Sequence, residues 1–252
     1  MEPVPAFPYL PSGRVINAVV SGNAPEETIR SLIEYGMDLI LTDAHPSLPL
    51  PLSCHVDMQM VNICKGVFVY APGISENILL KLKMLGFEMI RGSVPVKDHY
   101  PYDVAYNCAI VGKNAFLNPK YTDPLILDFL AKNNIKVHPV RQGYAKCSTA
   151  VVSKEAIITA DMLIYKKAAE AGLDALLIPP QKNIVLEGYD YGFIGGCSGL
   201  ISDKEIAFFG DISNLESSDA ILEFCNKHGK KAISLTNGSL IDLGGLFPLT
   251  SV

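Results

Sequence analysis

The sequence predicts an α/β fold in which five ββαβ repeats form a five-bladed propeller with pseudo-fivefold symmetry. Three observations predict it: two matching segments fifty residues apart, a strand–turn–strand–helix–strand pattern that recurs along the chain, and a C-terminal strand-like segment that could complete an unfinished repeat. Because the repeats fill the chain, residues 1–252 are taken as one domain.

The two matching segments define the fourth and fifth blades. From Cys147 the chain reads CSTAVVSKEAIITAD, and from Cys197 it reads CSGLISDKEIAFFGD, with Cys, Ser, Lys, Glu and the final Asp in register. Each segment is a polar turn between two apolar runs, followed by an amphipathic stretch and a last apolar strand. These blades are predicted over 145–180 and 190–236.

The same pattern recurs twice further upstream. The run NCAIVGKNAFLNP precedes the helix-like DPLILDFLAKNN and the strand-like IKVHPV, with Asp123-Pro124 as the helix start, and gives a blade over 105–140. The run HVDMQMVNICKGVFVYAP precedes SENILLKLKMLG, with Ser75 as N-cap and Gly86 as C-cap, and gives a blade over 55–93.

The first repeat lacks one strand. RVINAVV, APEETIRSLIEYG and MDLILTD form strand, helix and strand within 13–52, with no hairpin partner before them. The segment 239–250, SLIDLGGLFPLT, is strand-like and unassigned. We predict that it joins the first blade, so that the two termini close the ring and hide the sheet edges.

An ordinary doubly wound α/β sheet is the alternative fold. It also alternates strands and helices, but it places one strand before each helix instead of a hairpin. No GxGxxG or Walker loop occurs in the chain, and the Gly195-Gly196 pair does not form a phosphate loop. The hairpins therefore favour the propeller.

Composition limits the partners. The formal charge is −5 and no Lys/Arg run occurs, which argues against a nucleic-acid or anionic-membrane partner and suits a small cationic or neutral ligand. No apolar stretch reaches the roughly 18 residues that cross a bilayer, so we expect a cytoplasmic protein. No cofactor is implied, and the sequence leaves a homodimer open.

Six cysteines are spread along the chain without a CxxC pair, so neither a disulfide framework nor a zinc site is indicated. Most of them are expected to be buried thiols.

The candidate chemistry lies where each blade begins. In a propeller the first strand of every blade lines the central channel, so residues far apart in sequence converge there. These positions hold His55, Asp57, Asn107, Cys108, 146–148 and 196–198, with Asp242 near the closing strand. A thiolate nucleophile, a proton-relaying imidazole and carboxylates that hold a planar cation are what thiol-based amidine chemistry requires.

The motif CHVDMQM resembles the His-x-Asp signature of guanidine-modifying enzymes of the pentein superfamily, such as agmatine and arginine deiminases. The run from His55 through NCAIVGKNAFLNP to KCSTAVV resembles the C-terminal half of dimethylarginine dimethylaminohydrolases, over about residues 50–152. The resemblance implies His55 as general acid/base, Cys147 as nucleophile and Asp57 as a substrate-orienting carboxylate. It also implies a circularly permuted order of blades.

One blade departs from that family. Where those enzymes carry acidic residues, this chain reads GFIGGCSG, with Gly195, Gly196 and Cys197. Glu187 and Asp190, just upstream, are candidate replacement carboxylates. Cys197 occupies the blade position equivalent to that of Cys147 and is its rival as nucleophile.

Four further residues complete the candidate set. Asn107 and Asp242 are assigned to substrate binding from their positions, and Arg141 and Arg91, at blade ends, could meet a substrate carboxylate. Strand alternation predicts that Lys146 points outward, and it places Asp57 on the same strand face as His55. No sequential ligand spacing indicates a metal site.

Two functions follow from these residues. The first is a hydrolase or amidinotransferase that acts on a guanidine or amidine through a covalent thiouronium-type intermediate on Cys147. The alternative, suggested by the missing acidic pair, is a non-catalytic binder of ligands or partners, like the ribosome anti-association factor of the same fold. The distance between the His55 ring and the Cys147 sulfur distinguishes these two functions, because a direct or single-water proton relay fails beyond about 10 Å.

Overall fold

The computed structural model describes residues 4–252, whose strands form five three-stranded sheets and one two-stranded sheet. The helices are α1 Glu26–Glu34, α2 Val56–Gln59, α3 Glu76–Met84, α4 Pro124–Lys132, α5 Met162–Glu170 and α6 Ser218–Lys227. The strands are β1 Val15–Ser21, β2 Asp38–Thr42, β3 Met60–Cys64, β4 Val67–Tyr70, β5 Glu88–Arg91, β6 Ala109–Val111, β7 Asn114–Leu117, β8 Lys136–Pro139, β9 Thr149–Ser153, β10 Ala156–Thr159, β11 Asp174–Leu177, β12 Ile184–Val185, β13 Ser198–Leu200, β14 Glu205–Phe208, β15 Lys231–Ser234, β16 Leu240–Ile241 and β17 Phe247–Ser251.

Four sheets repeat one connectivity along the chain. Their strand orders are β3-β4-β5, β6-β7-β8, β9-β10-β11 and β13-β14-β15. In each, the first two strands pair antiparallel as a hairpin, and the second and third pair parallel. Because parallel neighbours need a crossover, a helix joins the second strand to the third. The five-bladed α/β propeller predicted from the repeats is confirmed, and the doubly wound alternative is wrong.

The first sheet closes the ring with both ends of the chain. Strand β17 pairs antiparallel with β1, which pairs parallel with β2. The predicted closing strand over 239–250 is only partly right, because β16 instead pairs with β12 in the two-stranded sheet. Gly244 and Gly245, at φ +74° and +78°, turn the chain between β16 and β17 in a region that favours glycine.

Helix starts and ends follow their residue types. Asp123 caps α4 by accepting a hydrogen bond from the Leu125 amide at 2.9 Å, with Pro124 at the first helical position, as predicted. Ser75 is the N-cap residue of α3, as predicted, but no side-chain bond is formed there. The C-cap of α3 is Leu85, so the predicted Gly86 lies one residue later, at φ +90°.

The residues predicted to open the inner strands lie in the turns just before them. His55 is the N-cap residue of α2, and β3 begins only at Met60. The prediction that Asp57 shares a strand face with His55 is therefore wrong, because Val56–Gln59 is helical. Cys147 likewise precedes β9 by two residues.

Buried apolar side chains form three clusters, the largest of which unites the second, third and fourth blades with the N-terminal Tyr9. The Tyr9 ring packs edge-on against Phe247 with centroids 4.9 Å apart, and its hydroxyl donates to the Cys108 carbonyl at 3.4 Å. Five of the six cysteines are buried, as expected, and Cys64 is half-buried. Within residues 4–252, no helix has the length and apolar character needed to cross a membrane.

Candidate active site

Three reactive side chains from two blades meet inside the ring. One ligand-type atom each of His55, Asp57 and Cys147 lies within 4.8 Å of the other two. All three residues are at most 2% exposed. The α2 turn carries His55 and Asp57, and the turn before β9 carries Cys147, so the propeller brings together residues about ninety positions apart.

The Cys147 thiol is hydrogen-bonded on both sides. Its Sγ donates to Asp57 Oδ2 at 2.9 Å and accepts from Asn107 Nδ2 at 3.2 Å. The thiol proton therefore already points at a carboxylate.

Asn107 joins the turns that carry these groups. Its Nδ2 also donates to the backbone carbonyl of Asp57 at 3.2 Å, and its Oδ1 accepts from the amides of Lys146 at 2.7 Å and Cys147 at 3.3 Å. Asn107 is 1% exposed, so solvent cannot reach these backbone groups to take the place of its hydrogen bonds. Asn107 is thus a positioning residue for the thiol and the carboxylate.

Burial and like charges keep the resting thiol neutral. Desolvation raises the pKa of Cys147 well above its ordinary value, the charges of Asp57 and Asp242 raise it further, and the Asn107 hydrogen bond opposes them. Burial also raises the pKa of Asp57, whereas the nearby Lys146 and His55 oppose that rise. The site has an excess of negative charge that an incoming cation would offset.

His55 and Asp242 lie next to each other without a hydrogen bond. The distance from His55 Nδ1 to Asp242 Oδ1 is 3.8 Å, and Nδ1 has no hydrogen-bond partner among the described residues. The Asp242 carboxylate is held by backbone amides: Oδ2 accepts from Phe193 at 2.8 Å and Oδ1 from Gly244 at 3.1 Å. An unpaired imidazole nitrogen and a fixed carboxylate face the same space.

Gly196 makes room for this carboxylate, and the neighbouring Gly195 makes room for a backbone carbonyl. A Cβ atom at Gly196 would lie 1.9 Å from Asp242 Oδ1, and one at Gly195 would lie 2.2 Å from the carbonyl oxygen of Thr149. Only glycine fits at either position. A carboxylate is therefore present at this blade, but it comes from the segment after β16.

Two cavities flank the reactive groups. The first, named the Cys147 cavity, has a volume of about 210 Å³ and is lined by Leu52, Tyr144, Cys147, Leu186, Tyr189, Asp190, Tyr191, Phe193 and Asp242. The second, named the His55 cavity, has a volume of about 330 Å³ and is lined by Ser21, Asn23, Leu50, Pro51, His55, Leu186, Glu187, Gly188, Ile241, Asp242 and Leu243. Asp242 and Leu186 line both cavities, whereas Cys147 lines only the first and His55 only the second.

The other predicted site residues divide into two groups. Asp190 lines the Cys147 cavity and Glu187 the His55 cavity. Cys197 is fully buried and its thiol donates to the Ile194 carbonyl at 3.3 Å. Neither Cys197 nor the exposed Arg141 is among the described residues that line the two cavities, so the geometry favours Cys147 over its rival.

Lys146 corrects the prediction that it points outward. It is 4% exposed, its Nζ donates to the Gly195 carbonyl at 3.0 Å, and it lies 5.4 Å from the centre of the Tyr9 ring and 5.7 Å from that of Phe247. The residue lies in a turn, where the two-residue period of a strand does not apply. The charge of Lys146 therefore lowers the pKa of Asp57, against the effect of burial.

The aromatic lining of the Cys147 cavity was not predicted from the sequence. Three of its four rings come from one stretch, YDYGF, at 189–193, where aromatic and acidic residues lie close together. That density of aromatic residues in a loop was the available signal, since exposed loops seldom concentrate large rings without a binding role.

His55, Asp57 and Cys147 offer nitrogen, oxygen and sulfur, which are zinc-type ligands. Their atoms lie within 4.8 Å of one another, so the three side chains could together hold a metal ion. The hydrogen bond from Cys147 Sγ to Asp57 Oδ2 is what the structure shows between them, and the absence of a metal site stays a prediction.

A family model described as "Family of unknown function (DUF6873)" matches residues 19–247. No curated protein matches the chain. Three solved structures are similar in fold. An inosamine-phosphate amidinotransferase from Streptomyces griseus is 10% identical with a TM-score of 0.60, covering 99% of this chain and 97% of its own. DDAH from Pseudomonas aeruginosa, complexed with citrulline, is 12% identical with a TM-score of 0.53, covering 88% and 92%.

The third structure, agmatine deiminase from C. jejuni, is 11% identical with a TM-score of 0.51, covering 93% of this chain and 94% of its own. At these identities the likeness establishes the fold alone, and the chain has the same fold as these three enzymes, as the resemblance implied. The circularly permuted order of blades stays a prediction.

Proposed function

The chain belongs to the DUF6873 family, and we propose that it is a cysteine-dependent enzyme that hydrolyses or transfers the amidino group of a small guanidine or amidine. One observation carries the proposal: the Cys147 thiol, which lines a cavity, donates to Asp57 at 2.9 Å and lies close to His55, whose Nδ1 has no hydrogen-bond partner among the described residues. Similarity in fold to an amidinotransferase and to agmatine deiminase supports the same chemistry.

Binding comes first in the proposed mechanism. A guanidinium enters the Cys147 cavity, where the Asp242 carboxylate accepts its N–H hydrogen bonds, and Asp57, hydrogen-bonded to the thiol, adds a second carboxylate next to the sulfur. The cation offsets the two charges that raise the thiol pKa, so the thiolate becomes accessible only when a substrate is bound. This arrangement keeps the resting thiol unreactive toward other electrophiles.

The thiol proton then passes to His55, and Sγ attacks the amidino carbon to give a neutral tetrahedral adduct. His55 returns that proton to the departing amine nitrogen, the carbon–nitrogen bond breaks, and a cationic thiouronium remains on Cys147. His55 next takes a proton from water or from an acceptor amine, whose oxygen or nitrogen attacks the same carbon. The carbon–sulfur bond breaks and His55 returns its proton to the sulfur. An acceptor amine leaves as a new guanidinium, and water leaves as a urea that gives its hydroxyl proton to the solvent or to the released amine.

The His55 cavity supports a separate approach for this second reactant. It is lined by His55 and not by Cys147, and it has polar lining residues, among them Asn23 and Glu187. Water or an acceptor amine could therefore reach His55 while the thiouronium still fills the first cavity.

The binding-only alternative was suggested by the missing acidic pair. Asp242 stands beside Gly196 in the space that pair would need, which favours an enzyme. In addition, the ligand-type atoms of His55, Asp57 and Cys147 lie within 4.8 Å of one another. A direct or single-water proton relay fails only beyond roughly 10 Å.

Covalent labelling tests the proposal. 2-Chloroacetamidine, an amidinium electrophile, should modify Cys147 with one equivalent and faster than neutral chloroacetamide, because the carboxylates attract the cation. Cys147→Ser should abolish the labelling, and Cys197→Ser, the matched control at the equivalent blade position, should leave it unchanged. Labelling confined to Cys197, or equal rates for the two reagents, would refute the assignment.

A further inference from the structure

The charged and aromatic residues of the Cys147 cavity indicate which guanidines it accepts. Its only charged lining side chains among the described residues are two carboxylates, Asp242 near the thiol and the exposed Asp190. The remaining lining side chains, apart from Cys147, are four aromatic rings and two leucines. A ligand that fills this cavity has a cation at one end and an apolar surface along the rest.

The aromatic rings are fixed near the carboxylates. Phe193 lies 6.2 Å from Tyr144 with the rings at 35°, and 6.1 Å from Tyr191 with the rings at 82°. The Tyr144 hydroxyl donates to Oδ2 of the buried Asp103 at 2.7 Å, and the Phe193 amide donates to Asp242 Oδ2 at 2.8 Å. The ring faces are thus held beside the position of the cation, where they attract it and pack against its substituent.

No basic side chain is placed to receive a ligand carboxylate. Within residues 4–252, the nearest buried cation to the thiol's turn is Lys146, whose Nζ is bonded to the Gly195 carbonyl and enclosed by the Tyr9 and Phe247 rings. Arg141, proposed from sequence for this role, is exposed and does not line the cavity. A carboxylate on the outer end of a ligand would instead face Asp190.

We propose that the substrate is a guanidine or amidine that carries no carboxylate and bears an apolar alkyl or aryl substituent. The inference rests on the proposed function, because it describes the occupant of the same cavity. An amino acid such as arginine is disfavoured by its carboxylate, and the four rings favour a flat or extended hydrocarbon group.

Calorimetric titration of the full-length Cys147→Ala variant tests this without turnover. Butylguanidine and 4-guanidinobutyrate form a matched pair that differs by the terminal carboxylate, and benzylguanidine adds an aromatic ring. We expect butylguanidine to bind at least about tenfold more tightly than 4-guanidinobutyrate, and benzylguanidine to bind more tightly still. Asp190→Asn should reduce the difference in affinity between butylguanidine and 4-guanidinobutyrate. Tyr191→Leu, which keeps an apolar side chain, should reduce the difference between benzylguanidine and butylguanidine.

Equal or tighter binding of 4-guanidinobutyrate or arginine would overturn the inference and leave the proposed function intact. If none of these compounds binds and 2-chloroacetamidine also fails to label the wild-type Cys147, both fail. If the compounds bind in the expected order but Cys147 is not labelled, the proposed chemistry fails and the ligand class stands.

Discussion

Replacing Asp57 by Asn should make the Cys147 thiol more reactive. The substitution is isosteric, keeps an oxygen to accept from Sγ and removes the charge that, after burial, raises the thiol pKa most. At an effective dielectric constant of about 20, two unit charges at this 2.9 Å distance repel by about 6 kcal/mol, so removing the Asp57 charge should lower the thiol pKa.

A lower thiol pKa should make alkylation faster. Each unit by which a thiol pKa falls raises the thiolate fraction about tenfold but lowers thiolate nucleophilicity by about threefold. Alkylation of Cys147 by iodoacetamide at pH 8 should therefore be several-fold faster in Asp57→Asn, measured on the Cys147 peptide by mass spectrometry. The half-buried Cys64 is the internal reference, and Asp190→Asn, which removes a charge from the same cavity without touching the thiol, is the matched control.

If Cys147 is labelled no faster in Asp57→Asn than in the wild type, while Cys64 labelling is unchanged, the Asp57 charge does not suppress the reactivity of the thiol.

The stability of the same variant gives an independent check. Since burial raises the folded-state pKa of Asp57, its contribution is fully present below the unfolded pKa of about 3.9 and is lost as the pH rises through the folded value. Asp57→Asn should therefore melt higher than the wild type at pH 7, with the difference shrinking toward pH 3.

Three further predictions concern the surroundings of the site. Gly196→Ala places a Cβ atom 1.9 Å from Asp242 Oδ1 and should slow 2-chloroacetamidine labelling at least about tenfold. Gly238→Ala, whose Cβ would have no atom within 4 Å, should leave the labelling rate unchanged. Equal effects of the two substitutions would contradict the steric argument. Asp123→Ala leaves three backbone amides without an acceptor and should lower the melting temperature by about 6–12 °C in calorimetry, so a fall under about 3 °C would count against it. Lys146→Met removes the largest influence that opposes the raised pKa of Asp57, the carboxylate that accepts the thiol hydrogen bond. The pH below which Cys147 labelling slows should therefore rise, and an unchanged pH profile would show that the Lys146 charge does not act there.

Local patterns in the sequence were sufficient for the blades. The alternation of apolar runs, the polar turns and the Asp123-Pro124 helix start depend on neighbours within one repeat, so the fold could be derived from them. The closing strand was only half predicted. Whether 239–250 is one strand or two depends on the glycine turn at 244–245 and on the partner β12, which lies far away in sequence.

The candidate site shows the same division. Sequence alone located His55, Asp57 and Cys147 at equivalent places of two blades, because each stands at the start of a repeat. It did not show that Asp57 lies on a helical turn, that Lys146 is buried, or that Asp242 occupies the space beside Gly196.

What the sequence determined by itself is therefore the repeat and the residues that stand at its inner end. What only the tertiary structure decided is which side chains face one another there: Cys147 and not Cys197 toward a cavity, and Asp242 in place of the missing acidic pair. The physical reason is that strands and helices follow the short-range periodicity of the chain, whereas the direction of a side chain in a turn depends on packing between blades.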